Sequence, residues 1–382
     1  MRTPPRFGVG SIARQACTLV LLVSGALAPR AWAQERGQEV SVQAVLERLK
    51  AVEGMLEQER HGRDLLLKRI DDLMWHQLLG DVADVEKIRY TGPERYQANP
   101  TAQDAGNPLI TYAYIFRPKP LDRGRKYPLL VFPHGGVRSN FSTSYSTVVR
   151  ELIAQGYVVV APDYRGSTGY GAAFYNQIDY GGREIDDVYL SGKWVLEHDA
   201  FVDPERVGVL GWSHGGFLTL WNVFKYPQAY KVAYAGVPVS NLALRAGTKA
   251  RGARGYPVDD YGAPSGIGKP AVDNVAEYVR RSPAYNTDKL QTPLLIHAAT
   301  NDSDVNVFEV EQLIDALKAR GKKFEYKIYQ KPPGEHSFEL INTTTGREAR
   351  LEVYRFLARY LNPPKPPGQG SGVENQETQG RK

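Results

Sequence analysis

Four short apolar runs in the middle of the chain constrain its fold more than any other feature. They read "PLLVFP" at 128–133, "YVVVAP" at 157–162, "RVGVLG" at 206–211 and "PLLIHA" at 293–298, and the alternating stretch "TYAYIF" at 111–116 precedes them. Continuous runs of this length indicate strands that are buried on both faces. Helical patterns follow the strands, for example at Val310, Leu313, Ile314 and Leu317. Strands alternating with helices predict an α/β fold, with a mainly parallel sheet covered by helices on both faces.

The first 33 residues have the pattern of a secretory signal peptide. Arg2 and Arg6 precede an apolar stretch at 16–28, and Ala31-Trp32-Ala33 offers the small-x-small site that a signal peptidase cleaves. The apolar stretch is too short to span a bilayer. An uncleaved membrane anchor is the alternative. We therefore expect residues 1–33 to be a signal peptide, the mature protein to be exported to the periplasm or the extracellular space, and no stable membrane insertion after cleavage.

Removing this leader changes the charge argument. It carries four arginines and no acidic residue, so 44 of the 48 basic residues remain against 42 acidic ones, and the net charge falls from +6 to +2. A nearly balanced charge gives no indication of a nucleic-acid partner, and we expect none. The one cysteine, Cys17, lies in the leader. The mature chain would therefore have no disulfide and no thiolate metal site, and we expect neither a metal nor a cofactor.

Two flanking segments differ in composition and residue pattern from the α/β region at 110–362. Residues 34–109 are predicted to be a helical N-terminal segment and linker, in which apolar residues follow alternating four- and three-residue steps. These seam positions are Val45, Leu49, Val52, Leu56, Leu66, Ile70 and Leu73. The pattern is typical of a coiled-coil seam interrupted near Gly62, of a helical hairpin, or of an amphipathic helix on its own domain. It predicts homo-oligomerisation through these helices or packing on the main domain. Residues 363–382 are rich in Pro, Gly and Gln, and we expect a disordered tail.

One serine lies between glycines where a strand is predicted to end. The stretch "LGWSHGGF" at 210–217 contains the Gly-x-Ser-x-Gly pattern, in which a strand turns sharply into a helix. Such a turn holds the serine in strained backbone geometry with its hydroxyl exposed. Ser213 is therefore the candidate nucleophile of an α/β-hydrolase fold.

A nucleophilic serine needs a histidine base, and in this fold the chain order is serine, acid, histidine. Three histidines follow Ser213. His214 is on the elbow itself and should point away, and His297 lies inside an apolar strand, where a core histidine is the better interpretation. His336 lies in the loop "KPPGEHSF" after a predicted strand and is the candidate base.

The acid is expected on the loop that follows "PLLIHA". This loop reads "ATNDSDVNV" and offers Asp302 and Asp304. Either carboxylate could instead cap the helix that comes next. Their spacing from Ser213 and His336 does not separate the two.

Several motifs together resemble the catalytic domain of the prolyl oligopeptidase family of serine peptidases, near its dipeptidyl peptidase and acylaminoacyl peptidase branches. They are "PHGGV" at 133–137, "DYRGSTGYG" at 163–171, "GGREIDDV" at 181–188, "GWSHGG" at 211–216, "NDSDV" at 301–305 and "GEHSF" at 334–338. The resemblance covers roughly residues 110–361 and keeps the family's order of motifs. It implies an α/β-hydrolase fold that works without a cofactor. The β-propeller of classical members, with four or more blades of about 40 to 50 residues each, has no visible counterpart here.

The resemblance also assigns roles to individual residues. The family's catalytic aspartate lies three residues before a valine, and Val305 selects Asp302 as the acid. The resemblance implies an oxyanion hole made by the backbone N–H groups of His214 and Gly136. The remaining charged residues of the motifs are expected to form ion pairs and caps; they are Arg165, Glu184, Asp186 and Asp187. Segment 245–270 would be part of the substrate wall or a long surface loop.

Three functions of different kinds fit these features. The motifs favour a secreted serine peptidase that cleaves short peptides through an acyl-enzyme on Ser213. The alternative is a secreted carboxylic-ester hydrolase with the same triad, so the expected partner is a peptide or an acyl-ester substrate. A binding protein on a hydrolase scaffold is disfavoured, because such a scaffold has no need of Ser213, Asp302 and His336 together.

Overall fold

The computed structural model describes residues 41–94, 108–249 and 266–367. The predicted signal peptide and nearly all of the predicted tail lie outside this part. The chain divides into two units, Met1–Glu57 and Gln58–Lys382. The described residues of the first unit are almost all helical and begin helix α1, Val42–Leu79, which continues into the second unit. None of the helices in the described ranges combines the length and apolar content that crossing a bilayer requires.

The second unit is built on one eight-stranded sheet. Its strands are β1 Ala83–Glu94, β2 Pro108–Pro118, β3 Tyr127–Val131, β4 Val158–Asp163, β5 Val202–Trp212, β6 Val232–Gly236, β7 Leu294–Ala299 and β8 Glu325–Tyr329. Their order is β1-β2-β4-β3-β5-β6-β7-β8. Strand β2 runs antiparallel to β1 and β4, and all other pairs are parallel. The predicted α/β-hydrolase fold with a mainly parallel sheet is confirmed.

The helices after α1 follow strands β3 to β8 along the chain. They are α2 Ser146–Gln155, α3 Ala172–Tyr175, α4 Glu184–His198, α5 His214–Lys225, α6 Leu242–Lys249, α7 Val275–Arg280, α8 Val307–Ala319 and α9 Thr344–Leu361. Consecutive strand residues enter two separate apolar clusters, because side chains alternate between the faces of a sheet. One cluster contains Val131, Val160, Val209, Ala235 and Ile296, and the other contains Leu130, Val159, Leu210, Tyr234 and Leu295. The core therefore lies on both faces of the sheet.

The sheet begins earlier in the chain than the sequence predicts. Strand β1 lies within 34–109, which we expected to be a helical segment and linker, and it pairs with β2 over nearly its whole length. Its sequence, "ADVEKIRYTGPE", is charged because one row of its side chains faces solvent. Such an edge strand lacks the apolar run by which the central strands are recognised.

Helix α1 differs from a second expectation, that of a helical hairpin in the N-terminal segment. It passes through Gly62 without a break, so the helical hairpin is not formed; a glycine inside a helix costs only about 1 kcal/mol. In the second unit, the predicted seam residues Leu66, Ile70 and Leu73 are 60%, 48% and 74% exposed. The buried residues of the helix are instead His61, Lys68, Trp75 and Leu79.

Candidate active site

Ser213 occupies the sharp turn between β5 and α5. Its backbone has φ 60° and ψ −121°, a conformation that non-glycine residues rarely adopt and that costs about 1–3 kcal/mol. Its N–H donates to the carbonyl oxygen of Gly236 at 2.9 Å, and its carbonyl accepts from the N–H of Phe217 at 3.0 Å. The backbone of the turn is thus fixed on both sides, and the strained geometry persists.

Steric constraints explain why the Gly-x-Ser-x-Gly pattern has glycine at both of its outer positions. A methyl group on Gly211 would lie 2.5 Å from the carbonyl carbon of Gly215, and one on Gly215 would lie 2.3 Å from the carbonyl oxygen of Pro133. Neither backbone atom can move aside as a flexible side chain could. The pattern is therefore required for β5, α5 and the loop after β3 to approach one another.

His336 and Asp302 form a hydrogen-bonded pair. The Nδ1 of His336 lies 2.7 Å from Oδ2 of Asp302, whose side chain is only 2% exposed. The other carboxylate oxygen of Asp302 accepts the backbone N–H groups of Asp304 and Val305, each at 2.8 Å. This carboxylate is therefore held in place by its own loop, and it orients the imidazole.

Asp304 lies on the other side of the ring. Its Oδ2 is 3.7 Å from Nε2 of His336, and its Oδ1 is 3.0 Å from Nη2 of Arg245. Sequence spacing left Asp302 and Asp304 as equal candidates for the acid. In the structure, only Asp302 is within hydrogen-bonding distance of the imidazole.

Ser213 and His336 line one cavity of about 240 Å³ within the described part of the chain. Gly136, His214, Tyr145 and Arg245 contribute to the same wall. In the part of the chain that the structure describes, no hydrogen bond joins the hydroxyl of Ser213 to the imidazole of His336. In free enzymes such contacts are often long, and they tighten when substrate binds.

The loop after β3 brings a backbone donor to this cavity. Gly136 has φ 74°, in the left-handed region that favours glycine. The N–H of the preceding Gly135 is already used, because it donates to the hydroxyl of Tyr145 at 2.9 Å. The N–H of Gly136 donates to no described residue, and His214 is the first residue of α5, where N–H groups lack an intrahelical acceptor. Both predicted oxyanion donors therefore line the cavity beside Ser213.

His134 is a buried residue at the start of the same loop. Its ring stacks on that of Tyr164 with centroids 4.2 Å apart, and its Nε2 lies 2.9 Å from Oγ of Ser167. Burial lowers the pKa of His134 to about 4, against the opposing effect of Asp163. His134 is therefore neutral at pH 7 in the folded protein.

This burial predicts a loss of stability in mild acid. The unfolded chain binds a proton at His134 near pH 6.5, whereas the folded protein binds it only near pH 4. The free energy of unfolding should therefore fall as the pH drops from about 6.5 to about 4, by up to about 3 kcal/mol from this group. Urea unfolding at several pH values should show a smaller fall for His134→Gln than for wild type. Identical pH dependence in the two proteins would contradict the prediction.

The other charged residues of the motifs form ion pairs and buried contacts. The Nε and Nη2 atoms of Arg165 bind the two carboxylate oxygens of Asp187 at 2.7 and 2.9 Å. Asp186 pairs with Lys225. Burial raises the pKa of Glu184, whose Oε1 lies 3.3 Å from Nε2 of His214. Burial also lowers the pKa of His214, so burial disfavours the charged form of both side chains.

His297 is buried in β7, as expected of a core histidine. Its Nδ1 lies 2.7 Å from Oε1 of Glu339. The other carboxylate oxygen of Glu339 accepts from Nε1 of Trp212, the residue before Ser213. Glu339, which lies three residues after His336, therefore connects this segment of the chain to Trp212 at the end of β5 and to His297 in β7.

Sequence reasoning missed several residues at or behind the cavity. Tyr145 follows a run of serines and threonines that has no periodic signal, and Lys68 lies on a helix whose apolar pattern pointed to a different face. Arg245 begins a segment that was recognised as a candidate substrate wall, but residues 250–265 lie outside the described part. Across the ranges that are described, no three His, Cys, Asp or Glu side chains are grouped to hold a metal ion.

The sheet order and the serine elbow define an α/β-hydrolase, with a histidine and a carboxylate on the loops after the last two strands. The chain belongs to the prolyl oligopeptidase family, a family of serine peptidases, whose family model matches residues 142–364.

Individual relatives agree with this assignment. The uncharacterized peptidase YuxL of Bacillus subtilis is 32% identical over 245 residues, which cover 64% of this chain and 36% of that protein. The human acylamino-acid-releasing enzyme is 30% identical over 247 residues, which cover 64% of this chain and 33% of the enzyme. The chain thus spans about a third of the length of these curated relatives.

Solved structures share the fold. An acylaminoacyl peptidase from Pyrococcus horikoshii superposes with a TM-score of 0.60 at 20% identity, over 75% of this chain and 43% of the other. A puromycin-hydrolyzing peptidase from Mycobacterium tuberculosis gives a TM-score of 0.57 at 22% identity, over 73% and 40% of the two chains.

Proposed function

We propose that this protein is a serine peptidase that hydrolyses peptide bonds of short peptides through an acyl-enzyme on Ser213. The observation that carries the proposal is the meeting of a strained serine and an Asp302-oriented His336 in one cavity. A serine hydroxyl is a weak nucleophile unless an oriented base removes its proton. Membership of a family of serine peptidases supports amides as the substrates.

The reaction follows from the positions of these groups. Oγ of Ser213 attacks the carbonyl carbon, its proton passes to Nε2 of His336, and the carbonyl electron pair moves onto oxygen. The N–H groups of Gly136 and His214 stabilise this oxyanion. When it collapses, the C–N bond breaks and His336 gives the proton to the departing amine. Water then repeats the sequence on the acyl-enzyme and releases a carboxylic acid and free Ser213.

Ester hydrolysis is the second candidate. The described strands all belong to one sheet, so no propeller blade lies among the described residues to restrict access to the cavity. An ester needs the same nucleophile, base and oxyanion donors, but its leaving group departs without full protonation by His336. The two functions therefore differ in the leaving group that the site can release.

Matched chromogenic amides and esters test the proposal. The series should include dipeptidyl, aminoacyl, acylated-aminoacyl and short fatty-acyl forms, assayed with wild type and Ser213→Ala. The names of the relatives make acylated-aminoacyl amides the first compounds to try. Ser213-dependent cleavage of amides is the expected result. Cleavage of esters alone would move the protein to the esterase function.

We also propose that the protein is exported and that residues 1–33 are removed. The proposal is supported by the arginines, the apolar stretch and the Ala31-Trp32-Ala33 site in the sequence. Expression of the full chain, followed by mass measurement of the recovered protein, should give an N-terminus near Gln34 in the exported fraction. An intact N-terminus in the cytoplasmic fraction would contradict it.

A further proposal is that two copies associate through α1. The seam residues Leu66, Ile70 and Leu73 are exposed on a helix of 38 residues, and they continue the stepped pattern of Val45 and Leu49. A second copy of the helix could bury this stripe. Sedimentation should give a dimer for wild type and a monomer when Leu66 and Ile70 are replaced by serine. A monomeric wild type would rule this out.

A further inference from the structure

Helix α1 presents three residues to the loop that carries Gly136. Lys68, Asp71 and Trp75 are spaced i, i+3 and i+7, which places them on one helix face. We call residues 133–145 the oxyanion loop. All three helix residues contact this loop or the strand end beside it, and none of them lines the cavity around Ser213.

Lys68 binds the far end of the oxyanion loop. Its Nζ donates to the carbonyl oxygen of Phe141 at 2.9 Å and to Oδ1 of Asn140 at 3.1 Å. It also lies 2.7 Å from Oδ2 of Asp163 at the end of β4. Oδ1 of Asp163 accepts the N–H of Phe141 at 2.6 Å. Lys68 and Asp163 therefore fix both backbone polar groups of Phe141.

Lys68 and Asp163 compensate each other's charge in a buried environment. The side chain of Lys68 is 2% exposed and that of Asp163 is fully buried. Burial lowers the pKa of Lys68, against the opposing effect of Asp163. Burial acts to raise the pKa of Asp163, but Lys68 and His134 hold it below its ordinary value. Removing either partner would leave a buried charge uncompensated, which is strongly destabilising.

Asp71 binds the next residues of the loop. Its Oδ1 accepts the N–H of Thr143 at 3.0 Å and the hydroxyl of Thr143 at 2.5 Å. Thr143 begins a short 3₁₀ helix, Thr143–Tyr145. The hydroxyl of Tyr145 accepts the N–H of Gly135, which immediately precedes Gly136. A continuous path of hydrogen bonds and backbone thus leads from Asp71 to the predicted oxyanion donor.

Trp75 supports the same segment by packing. Its ring stacks on that of Phe141 with centroids 5.6 Å apart, and Phe141 stacks in turn on Tyr145 at 4.8 Å. The two glycines at 135 and 136 have no side chains with which to pack. The position of the donor therefore depends on Tyr145, which holds Gly135, and on the groups that hold Tyr145 and Phe141 in place.

We propose that Lys68 and Asp71 of α1 are positioning residues that hold the oxyanion loop in its working geometry. The inference rests on the proposed function, since it assumes that Gly136 N–H stabilises the oxyanion. Preorganised donors stabilise the developing charge only while they stay within hydrogen-bonding distance of it. Loosening the loop should therefore reduce transition-state stabilisation more than substrate binding.

Adjacent carboxylates on α1 provide the test and its matched control. Asp71 binds the oxyanion loop, whereas Asp72 binds Lys87 and the hydroxyl of Tyr114. Both are partly buried. Asp71→Ala should lower kcat by roughly 10- to 100-fold with KM changed by less than about threefold. Asp72→Ala, compared at matched thermal stability, should leave kcat within about threefold of wild type. Asp71→Asn retains an acceptor oxygen and should restore most of the activity.

A fluorophosphonate probe makes the test independent of the natural substrate. Phosphonylation of Ser213 places a phosphoryl oxygen against the oxyanion donors, so its rate should fall in Asp71→Ala and not in Asp72→Ala. If Asp71→Ala does not fold, Thr143→Val removes only the hydroxyl contact and should cause a smaller fall in the same direction. Equal losses in the two alanine variants, or a change in KM alone, would overturn the inference. An unreactive wild type would instead contradict the proposed function, and this inference with it.

Discussion

Replacing Ser213 or His336 by alanine is expected to lower kcat by about 10⁴- to 10⁶-fold for any amide or ester that the protein hydrolyses. Ser213 supplies the bond to the acyl group, and His336 carries the proton in both half-reactions. Because the two residues act as a unit, the kcat of the double variant should lie within about tenfold of the kcat of either single variant. Initial rates and fluorophosphonate labelling measure both effects.

The control for this experiment is folding. Ser213→Ala retains a β-carbon in the strained turn, and the side chain of His336 is 19% exposed. Both variants should therefore keep the wild-type circular dichroism spectrum and a similar midpoint of thermal unfolding. A folded Ser213→Ala protein with wild-type activity would show that another residue is the nucleophile.

The second large effect separates the two carboxylates of the loop after β7. Asp302→Asn should lower kcat by about 10³- to 10⁴-fold, because an amide cannot hold His336 in the required tautomer or stabilise the imidazolium. Asp304→Asn should cost less than about tenfold. Its carboxylate lies 3.7 Å from the other ring nitrogen and is paired with Arg245.

The reverse ranking would make Asp304 the acid and would require the imidazole to be flipped. A flipped ring would exchange its two nitrogens and bring Nδ1 towards Asp304. The comparison should therefore be made on one substrate and at several pH values.

The sequence predicts the central part of this fold well because its signals are local. Strands β3, β4 and β7 and the second half of β5 are buried on both faces, so these segments are nearly all apolar and stand out against the helices. The elbow is equally local, since both glycines are fixed by contacts within the turn and its neighbouring loop. Chain order then places His336 and the two aspartates on the loops where the structure has them.

The N-terminal region is predicted poorly because its burial depends on distant residues. Lys68 is charged and its apolar neighbours Leu66 and Ile70 step along the expected seam, yet Lys68 is buried and they are exposed. The reason is Asp163, almost a hundred positions away, which supplies the compensating charge. No periodicity along α1 can report a partner on β4. Strand β1 escaped recognition for a related reason, since only its pairing with β2 defines it.

The strained backbone of Ser213 sets a limit on how this protein can be improved. A glycine at position 213 would adopt φ 60° without the penalty of about 1–3 kcal/mol that serine carries there. The most thermostable residue for this turn is therefore one that cannot form an acyl-enzyme. Selection for heat resistance alone would discard the nucleophile, so thermostability and activity must be screened together in any engineered variant.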